Sequence, residues 1–244
     1  MNKLTIGYSS LAERVKNINF YNDYENLLIV QNPNQVTFST PNVRTVVLYN
    51  KGVAKSRNQA IANCETEYLL FADDDIEFSK SGITKALEYL EANQNVDLLL
   101  MQAVDPAGKL RKRYPIKAEK LTKFNSGKAA TYEMMVRVPK IKKLNIKFDE
   151  NFGAGAENYL GDEYIFITDL LKAGGTGVFL PITIATHPAE SSATPWSDDR
   201  SIKARAAIFT RIFGPTAHLV RLAFILKARQ SLSISKIIKF VMGK

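Results

Sequence analysis

The chain has 244 residues, of which 45% are hydrophobic and 23% charged, so it can bury the core of one large domain or of one domain with an appendage. This balance of residue types excludes a disordered or fibrous protein. The single cysteine, Cys64, excludes an internal disulfide, and no metal-ligand pattern surrounds it.

The net charge of +9 is concentrated near the C-terminus. Residues 200–244 contain ten Lys or Arg and no Asp or Glu, which leaves residues 1–199 with 23 basic and 24 acidic side chains. A near-neutral body argues against binding of nucleic acid, and the basic segment predicts an anionic partner. Residues 1–10 lack the apolar core of a signal peptide, and no apolar run approaches membrane-spanning length, because residues 219–226 are few and include Arg221. We therefore expect a cytoplasmic protein.

Apolar runs in the first half of the chain predict five strands, at residues 4–8, 26–31, 44–49, 67–72 and 96–104. These runs are apolar on both faces, as in the interior of a parallel sheet. Residues 53–63 and 82–92 between them have helical periodicity. The alternation predicts an α/β fold with a mostly parallel sheet flanked by helices, in which ligands bind beyond the carboxyl ends of the strands.

The second half of the chain is less regular. Its segments predict a basic loop or hairpin (residues 108–115), a strand (131–138), a glycine-rich acidic loop (147–163), a helix ending at glycine (162–175), a strand (176–188) and basic amphipathic helices (201–213 and 218–244). The basic residues 109–114 form either a solvated hairpin or an approach to anionic groups of a substrate.

Three consecutive carboxylates, Asp73, Asp74 and Asp75, follow the fourth predicted strand. They are not needed to cap the next helix, because Ser79 and Ser81 can do so. They are either solvated loop residues or part of a cation site. In an extended chain Asp73 and Asp75 share one face, about 7 Å apart, and Asp74 points away. Two such carboxylates, together with substrate phosphates, suit Mg²⁺ or Mn²⁺.

Two segments of the chain resemble family 2 glycosyltransferases, which have the GT-A fold. Residues 51–78, KGVAKSRNQAIANCETEYLLFADDDIEF, resemble the nucleotide-sugar half of that family, with an Arg-Asn pair and then a strand ending in Asp-x-Asp. Residues 148–175, FDENFGAGAENYLGDEYIFITDLLKAGG, resemble its acceptor-side signature, in which an acidic pair opens a helix. The resemblance runs in order from about Leu4 to His187.

The resemblance implies an inverting enzyme that uses a nucleotide-diphosphate sugar, with a UDP-sugar as the expected donor. It places Ser9, Arg57 and Asp73 at the nucleotide sugar, with Asp74 in support. The family usually has an aspartate after the second strand that pairs with the base. Gln31 occupies that position here, and its amide oxygen can still accept a hydrogen bond from uracil, but the identity of the nucleotide stays open.

The resemblance also implies metal ligands and a catalytic base. Asp75 and His187 are the implied ligands of Mn²⁺ or Mg²⁺, although a lone histidine before proline is equally often structural. The acceptor hydroxyl must lose its proton to a carboxylate. The acidic pair Asp162-Glu163 has the reverse of the usual order, so either residue can be the base; its position favours Glu163. Asp162 could instead be only the N-cap of the helix.

We predict a GT-A catalytic domain over residues 1–199, divided into a nucleotide-sugar half (1–105) and an acceptor half (106–199), followed by a basic helical tail (200–244). Residues 201–244 are typical of helices that lie on anionic membranes. The resemblance then implies a glycan or lipid-diphosphate-linked acceptor at the inner face of a bacterial plasma membrane, in surface polysaccharide synthesis. Alternatively, the tail packs on the body or on a second subunit of a homodimer.

Two other function classes stay open at this point. A nucleotidyltransferase also uses an α/β sheet, a metal and carboxylates, but it would carry a glycine-rich basic loop after the first strand, which residues 7–17 do not supply. A non-catalytic module that binds sugar nucleotides or glycans would not need Asp73, Asp75 and the acidic pair together.

Overall fold

The structure is a computed structural model that describes residues 3–40, 42–188, 198–228 and 232–243. Of the segment 218–244 that we predicted as helical, residues 229–231 and 244 lie outside the described residues. The strands are β1 (Leu4–Leu11), β2 (Glu25–Gln31), β3 (Arg44–Leu48), β4 (Tyr68–Asp73), β5 (Glu77–Phe78), β6 (Leu98–Val104), β7 (Glu119–Lys120), β8 (Met134–Arg137) and β9 (Gly177–Thr186). The helices are α1 (Val53–Asn63), α2 (Lys80–Ala92), α3 (Val138–Lys143), α4 (Asp162–Lys172), α5 (Asp199–Phe213), α6 (Ala217–Ala228) and α7 (Ile234–Met242).

The strands form one sheet in the order β3-β2-β1-β4-β8-β6-β9-β5, with β7 also paired to β9. Strands β1 to β4 are parallel, and their apolar runs are buried on both faces of the sheet between two hydrophobic clusters. Helix α1 spans the predicted residues, and α2 begins after Ser79, whose hydroxyl accepts a hydrogen bond from the Gly82 backbone at 3.1 Å. The predicted α/β fold with a mainly parallel sheet is confirmed.

The middle of the sheet differs from the expectation of alternating strands and helices. Strand β8 lies between β4 and β6 and is antiparallel to both. The strand predicted at 131–138 begins instead as a short 3₁₀ helix, Thr131–Glu133, because the Glu133 carboxylate folds back to accept a hydrogen bond from the Ala130 backbone at 3.3 Å. Strands β5 and β7 have two residues each, which is too short to show a period of two in the sequence.

This topology brings distant segments to one edge of the sheet. Ser9 of β1 lies directly beside Asp73 of β4 in the parallel register. Strands β6 and β9 are also parallel, and the backbone of His187 donates to the carbonyl of Val104 at 3.0 Å. The carboxyl ends of β1, β4 and β9 thus place Asp73 and His187 at the same edge, as the rule for α/β sheets requires.

The C-terminal helices pack on the body and on one another. Ile208 and Ile212 of α5 join a buried cluster with Phe152 and Ile165, and Phe240 of α7 is buried in a second cluster with α5 and α6.

The described part of the tail also contains one long helical run. Residues Asp199–Lys227 are long and apolar enough to span a membrane by length and composition, which the sequence analysis did not expect. The run consists of α5 and α6, which are joined by a 3₁₀ turn, Gly214–Thr216, that contains Pro215. In its most apolar 18-residue stretch, 33% of the residues are buried. Core helices of soluble proteins meet the same criterion.

Candidate active site

The guanidinium of Arg57 is the only described cation in hydrogen-bond or ion-pair contact with Asp73, Asp162 and Glu163. Arg57 lies on α1 and is buried; it donates to Asp162 and lies 3.4 Å from Asp73 Oδ1 and 3.5 Å from Glu163 Oε1. These partners come from the end of β4 and the start of α4, so one side chain joins the two halves of the predicted catalytic domain.

The electrostatic balance around Arg57 is negative. Burial raises the pKa of Asp73, and Arg57 only partly opposes this effect. Burial also raises the pKa of Asp162, the negative charge of Glu163 raises it further, and Arg57 again opposes. Three carboxylates against one guanidinium leave an excess of negative charge, so this cluster favours uptake of a proton or of a further cation.

Asp74 and Asp75 contact a second arginine, which the sequence analysis missed. Arg14 Nη2 lies 2.5 Å from Asp74 Oδ1 and 3.4 Å from Asp75 Oδ2, and the Ser10 hydroxyl donates to Asp74 at 2.8 Å. Arg14 sits in a short 3₁₀ helix, Ala12–Asn17, that follows β1. Its position after the first strand was the only available signal, since parallel strands bring their carboxyl ends together.

The local geometry of the three aspartates differs from the extended chain that we expected. Strand β4 ends at Asp73, and Asp74 and Asp75 lie in a turn. Asp74 is buried against Ser10, whereas the side chain of Asp75 is 37% exposed at the sheet edge. The turn, rather than strand alternation, separates Asp74 from Asp75.

Asp75 faces His187, the other implied metal ligand. His187 Nε2 lies 3.8 Å from Asp75 Oδ1. His187 Nδ1 lies 2.7 Å from the carbonyl oxygen of Pro188, which can only accept, so the neutral form of the ring would have its proton on Nδ1 and leave Nε2, the nitrogen that faces Asp75, able to bind a metal ion. The ring also packs on Tyr132, with 4.9 Å between the ring centroids. This arrangement holds the imidazole in an orientation suited to ligation.

The donor atoms present fit a divalent cation that is completed by its substrate. Within the described residues no group of three His, Cys, Asp or Glu side chains could hold a metal ion. One carboxylate oxygen of Asp75 and one imidazole nitrogen of His187 could instead supply two ligands, and Mg²⁺ and related ions are often bound by few protein ligands together with phosphates and water.

Ser9 and Gln31 both contact the beginning of α1. The Ser56 hydroxyl lies 2.9 Å from the hydroxyl of Ser9, and Gln31 Oε1 accepts a hydrogen bond from the Gly52 backbone at 2.8 Å. Both side chains are buried at the carboxyl ends of β1 and β2. The amide of Gln31 therefore already has a structural partner, and its predicted contact with a base would use the second lone pair of the oxygen.

The acidic pair occupies the first turn of α4, where the helix dipole favours negative charge. The interpretation of Asp162 as N-cap is wrong: Gly161, at φ 88°, is the N-cap, and Asp162 is the first helical residue, with its carboxylate on Arg57. Glu163 Oε1 accepts a hydrogen bond from the Thr131 hydroxyl at 2.8 Å. The Glu163 side chain is 21% exposed, against 4% for Asp162, so Glu163 is the acid that a substrate can reach.

The basic segment 109–114 is attached beside His187 rather than forming a free hairpin. Arg111 donates to the backbone carbonyls of His187 and Pro188. The buried carboxylate of Glu133 receives Lys112 Nζ at 2.8 Å and the Tyr114 hydroxyl at 2.5 Å. Sequence reasoning did not single out Glu133, which has no motif around it and is buried because Lys112 and Tyr114 supply partners.

The fold and this sheet edge define a GT-A glycosyltransferase. The family model described as "Glycosyl transferase family 2" matches residues 21–152, which is more than half of the chain. The chain therefore belongs to glycosyl transferase family 2, as the motifs predicted. No curated protein matches the sequence.

Solved structures show the same fold at low sequence identity. The crystal structure of S. aureus TarS matches with a TM-score of 0.60 and 17% identity over 96% of this chain and 44% of TarS, so the chain spans less than half of that protein. TarS 1-349 in complex with UDP-GlcNAc matches with a TM-score of 0.60 and 14% identity, over 99% of this chain and 79% of the TarS fragment. A mycobacterial protein matches with a TM-score of 0.56 and 11% identity, over 88% and 76% of the two chains.

The contacts of the two arginines give the first testable prediction. Arg57→Met leaves Asp162 and Asp73 buried without their cation, and breaking a buried pair in this way costs about 3–5 kcal/mol of unfolding free energy. Arg14→Met is the matched control and should cost about 1 kcal/mol or less, because the Arg14 side chain is 47% exposed and water can replace it. Urea unfolding of the two variants measures the difference. Equal losses would contradict the central role of Arg57.

Proposed function

We propose that this glycosyltransferase moves a sugar from a UDP-sugar to an acceptor hydroxyl, with inversion at the anomeric carbon and with Mn²⁺ or Mg²⁺. The observation that carries the proposal is that Arg57 faces Asp73 with Nη2 and Glu163 with Nη1, while Asp75, two residues after Asp73, faces His187. The proposed donor site and acceptor base would then share one buried cation. TarS 1-349 has been crystallised with UDP-GlcNAc and with UDP, which supports a uridine donor for this chain as well.

The side chains of the proposed donor site have different roles. Asp73 contacts the nucleoside, and its charge is balanced by Arg57. Gln31 accepts a hydrogen bond from the Gly52 backbone, and Ser9 accepts one from the Ser56 hydroxyl in the first turn of α1. Asp74 stabilises the turn after β4 by accepting a hydrogen bond from the Ser10 hydroxyl. Asp75 and His187 would hold the divalent cation, which when bound neutralises charge on the leaving diphosphate.

On the acceptor side, Glu163 removes the proton of the acceptor hydroxyl. Arg57 donates a hydrogen bond to the carboxylate of Asp162. We therefore assign Asp162 a positioning role and not the role of the base. Glu163 accepts a hydrogen bond from Thr131, lies 3.5 Å from Arg57 Nη1 and is partly exposed, so its carboxylate is within reach of an acceptor hydroxyl group.

Asp75→Ala tests the donor site. The variant should lose metal-dependent UDP binding and transfer while unfolding at the same urea concentration as the wild type, since Asp75 is an edge residue outside the core. Isothermal titration with UDP in the presence and absence of Mn²⁺, and release of UDP from a panel of UDP-sugars, give the two readouts. Retention of Mn²⁺-dependent UDP binding in Asp75→Ala would reject the metal assignment.

The two acids of α4 can be separated by amide substitution. Glu163→Gln should keep UDP affinity and lose turnover by about 10²- to 10⁴-fold, because an amide cannot accept the proton. Asp162→Asn should lower stability through its bond to Arg57 and retain more turnover than Glu163→Gln. The reverse ranking of turnover in the two variants would make Asp162 the base.

We also propose that the tail places the enzyme at the inner face of the plasma membrane, where a glycan or lipid-diphosphate-linked acceptor for surface polysaccharide synthesis would be available. Helix α6 exposes Leu219, Leu222 and Leu226, which follow one another at helical spacing. Helix α7 exposes Ile234, Ile238 and Met242 in the same way. No acidic residue occurs from residue 200 onward, so these apolar rows lie in a basic segment suited to anionic lipid. A second subunit in a homodimer is the competing occupant.

Flotation with phosphatidylglycerol vesicles tests this placement on the full chain. The double variant Leu226→Ser/Ile234→Ser should lose most vesicle binding, and Leu110→Ser/Ile116→Ser, which removes exposed apolar residues elsewhere, should bind as the wild type does. Binding of the wild type should fall as salt is raised. Equal flotation of all three proteins would contradict the membrane proposal, and a change from dimer to monomer in ultracentrifugation would favour the homodimer instead.

A further inference from the structure

We propose that helix α5 is a positioning element of the active site and that Arg211 is its positioning residue. Arg211 holds the glycine-rich segment 149–161, here called the glycine loop, against α4. This inference rests on the proposed function, because it concerns the alignment of the acids that α4 presents. Arg211 itself contacts no reacting atom.

Arg211 ties the beginning of the glycine loop to α4. Its Nε lies 2.7 Å from Asp149 Oδ2, its Nη2 lies 2.7 Å from Asp169 Oδ2, and its Nη1 lies 3.2 Å from Asp169 Oδ1. The rigid guanidinium can donate to two carboxylates at once, which an ammonium group does less well. Burial would raise the pKa of Asp149, but the hydrogen bonds from Arg211 and Asn151 outweigh it and lower that pKa.

Ile208, one turn before Arg211, fixes the other end of the loop. Gly161 has φ 88°, and a Cβ atom at this position would lie 2.3 Å from Ile208 Cδ1. Ile208 therefore packs directly on the backbone of the residue before Asp162. Lys172 Nζ, at the end of α4, donates to the Ile212 carbonyl at 3.0 Å, so α4 is attached to α5 at both of its ends.

Between these two attachments the glycine loop contacts both α4, which carries the acidic pair, and α1, which carries Arg57. A Cβ atom at Gly153 would lie 2.7 Å from the carboxyl carbon of Asp162, so the loop backbone contacts the acid directly. The carbonyl of Ala154 accepts a hydrogen bond from Val53, the first residue of α1, at 2.9 Å. A shift of the loop at Asp149 or Gly161 would therefore move the acids of α4 relative to the donor edge.

Kinetics of full-length Arg211→Ala test the inference, with UDP release from the UDP-sugar that the wild type uses. We expect kcat to fall about 10- to 100-fold, as for small misplacements of catalytic groups. The donor KM and the affinity for UDP with Mn²⁺ should change less than about 3-fold, because β4 and β9 hold the donor residues independently of Arg211. Arg211→Lys should recover part of kcat, because lysine can reach one of the two carboxylates.

Lys203→Ala is the matched control, because it also removes a contact between α5 and the glycine loop, but a solvated one: Lys203 Nζ lies 3.6 Å from Glu157, and the two side chains are 69% and 83% exposed. It should leave kcat unchanged. Hydrogen exchange of residues 150–162 supplies a readout that does not need turnover, and it should accelerate in Arg211→Ala and not in Lys203→Ala.

Unchanged exchange in this segment of Arg211→Ala overturns the inference even if the wild type has no activity, a result that would separately refute the proposed function. Wild-type kcat in Arg211→Ala overturns it as well. If Arg211→Ala does not fold, Arg211→Lys is measured instead: a lower kcat with unchanged UDP affinity supports the inference, and parallel losses of both overturn it.

Discussion

The arrangement of the site depends on the ion pairs that the buried guanidinium of Arg57 forms with three carboxylates. This guanidinium lies between the end of β4 and the start of α4, and its Cζ atom lies 5.7 Å from the centroid of the Phe148 ring. The next residue, Asn58, forms two hydrogen bonds with the backbone of Phe148, at 3.0 and 2.8 Å. The Arg-Asn pair therefore has a physical meaning: the arginine gathers the carboxylates, and the asparagine fixes the segment that leads to the glycine loop.

The same cluster explains how consecutive aspartates are tolerated. Asp73 turns to Arg57, Asp74 turns to Ser10 and Arg14, and the exposed Asp75 is left at the edge near His187. Two arginines do not neutralise all the carboxylates that meet here, since Asp162 and Glu163 share Arg57 with Asp73. The remaining negative charge is the electrostatic reason to expect a metal ion and its diphosphate at this edge rather than a bare anionic substrate.

The sequence predicted those parts of the fold that depend on local patterns. Strands β1 to β4, helix α1 and the start of α4 were readable because apolar runs and the acidic pair carry their own signals. Arg14, Glu133 and Arg211 were not, because each acts through partners far away in the chain, at Asp74, Lys112 and Asp149. The insertion of β8 between β4 and β6 was likewise invisible, since strand order is decided by long-range pairing.

The reversed order of the acidic pair also follows from geometry. Asp162 is the first residue of α4 and is buried, and the short aspartate side chain places its carboxylate on Arg57 while Gly153 leaves room for it. Glu163 has one more methylene group, and it lies against Thr131 at the edge of the site. With the order Glu-Asp, the longer side chain would follow Gly161 and would have to fit into the narrow space beside Gly153. The shorter side chain would then take the place of Glu163, and its carboxylate would be less exposed. The order Asp-Glu thus gives the first acid the closer contact with Arg57 and leaves the second the more exposed of the two.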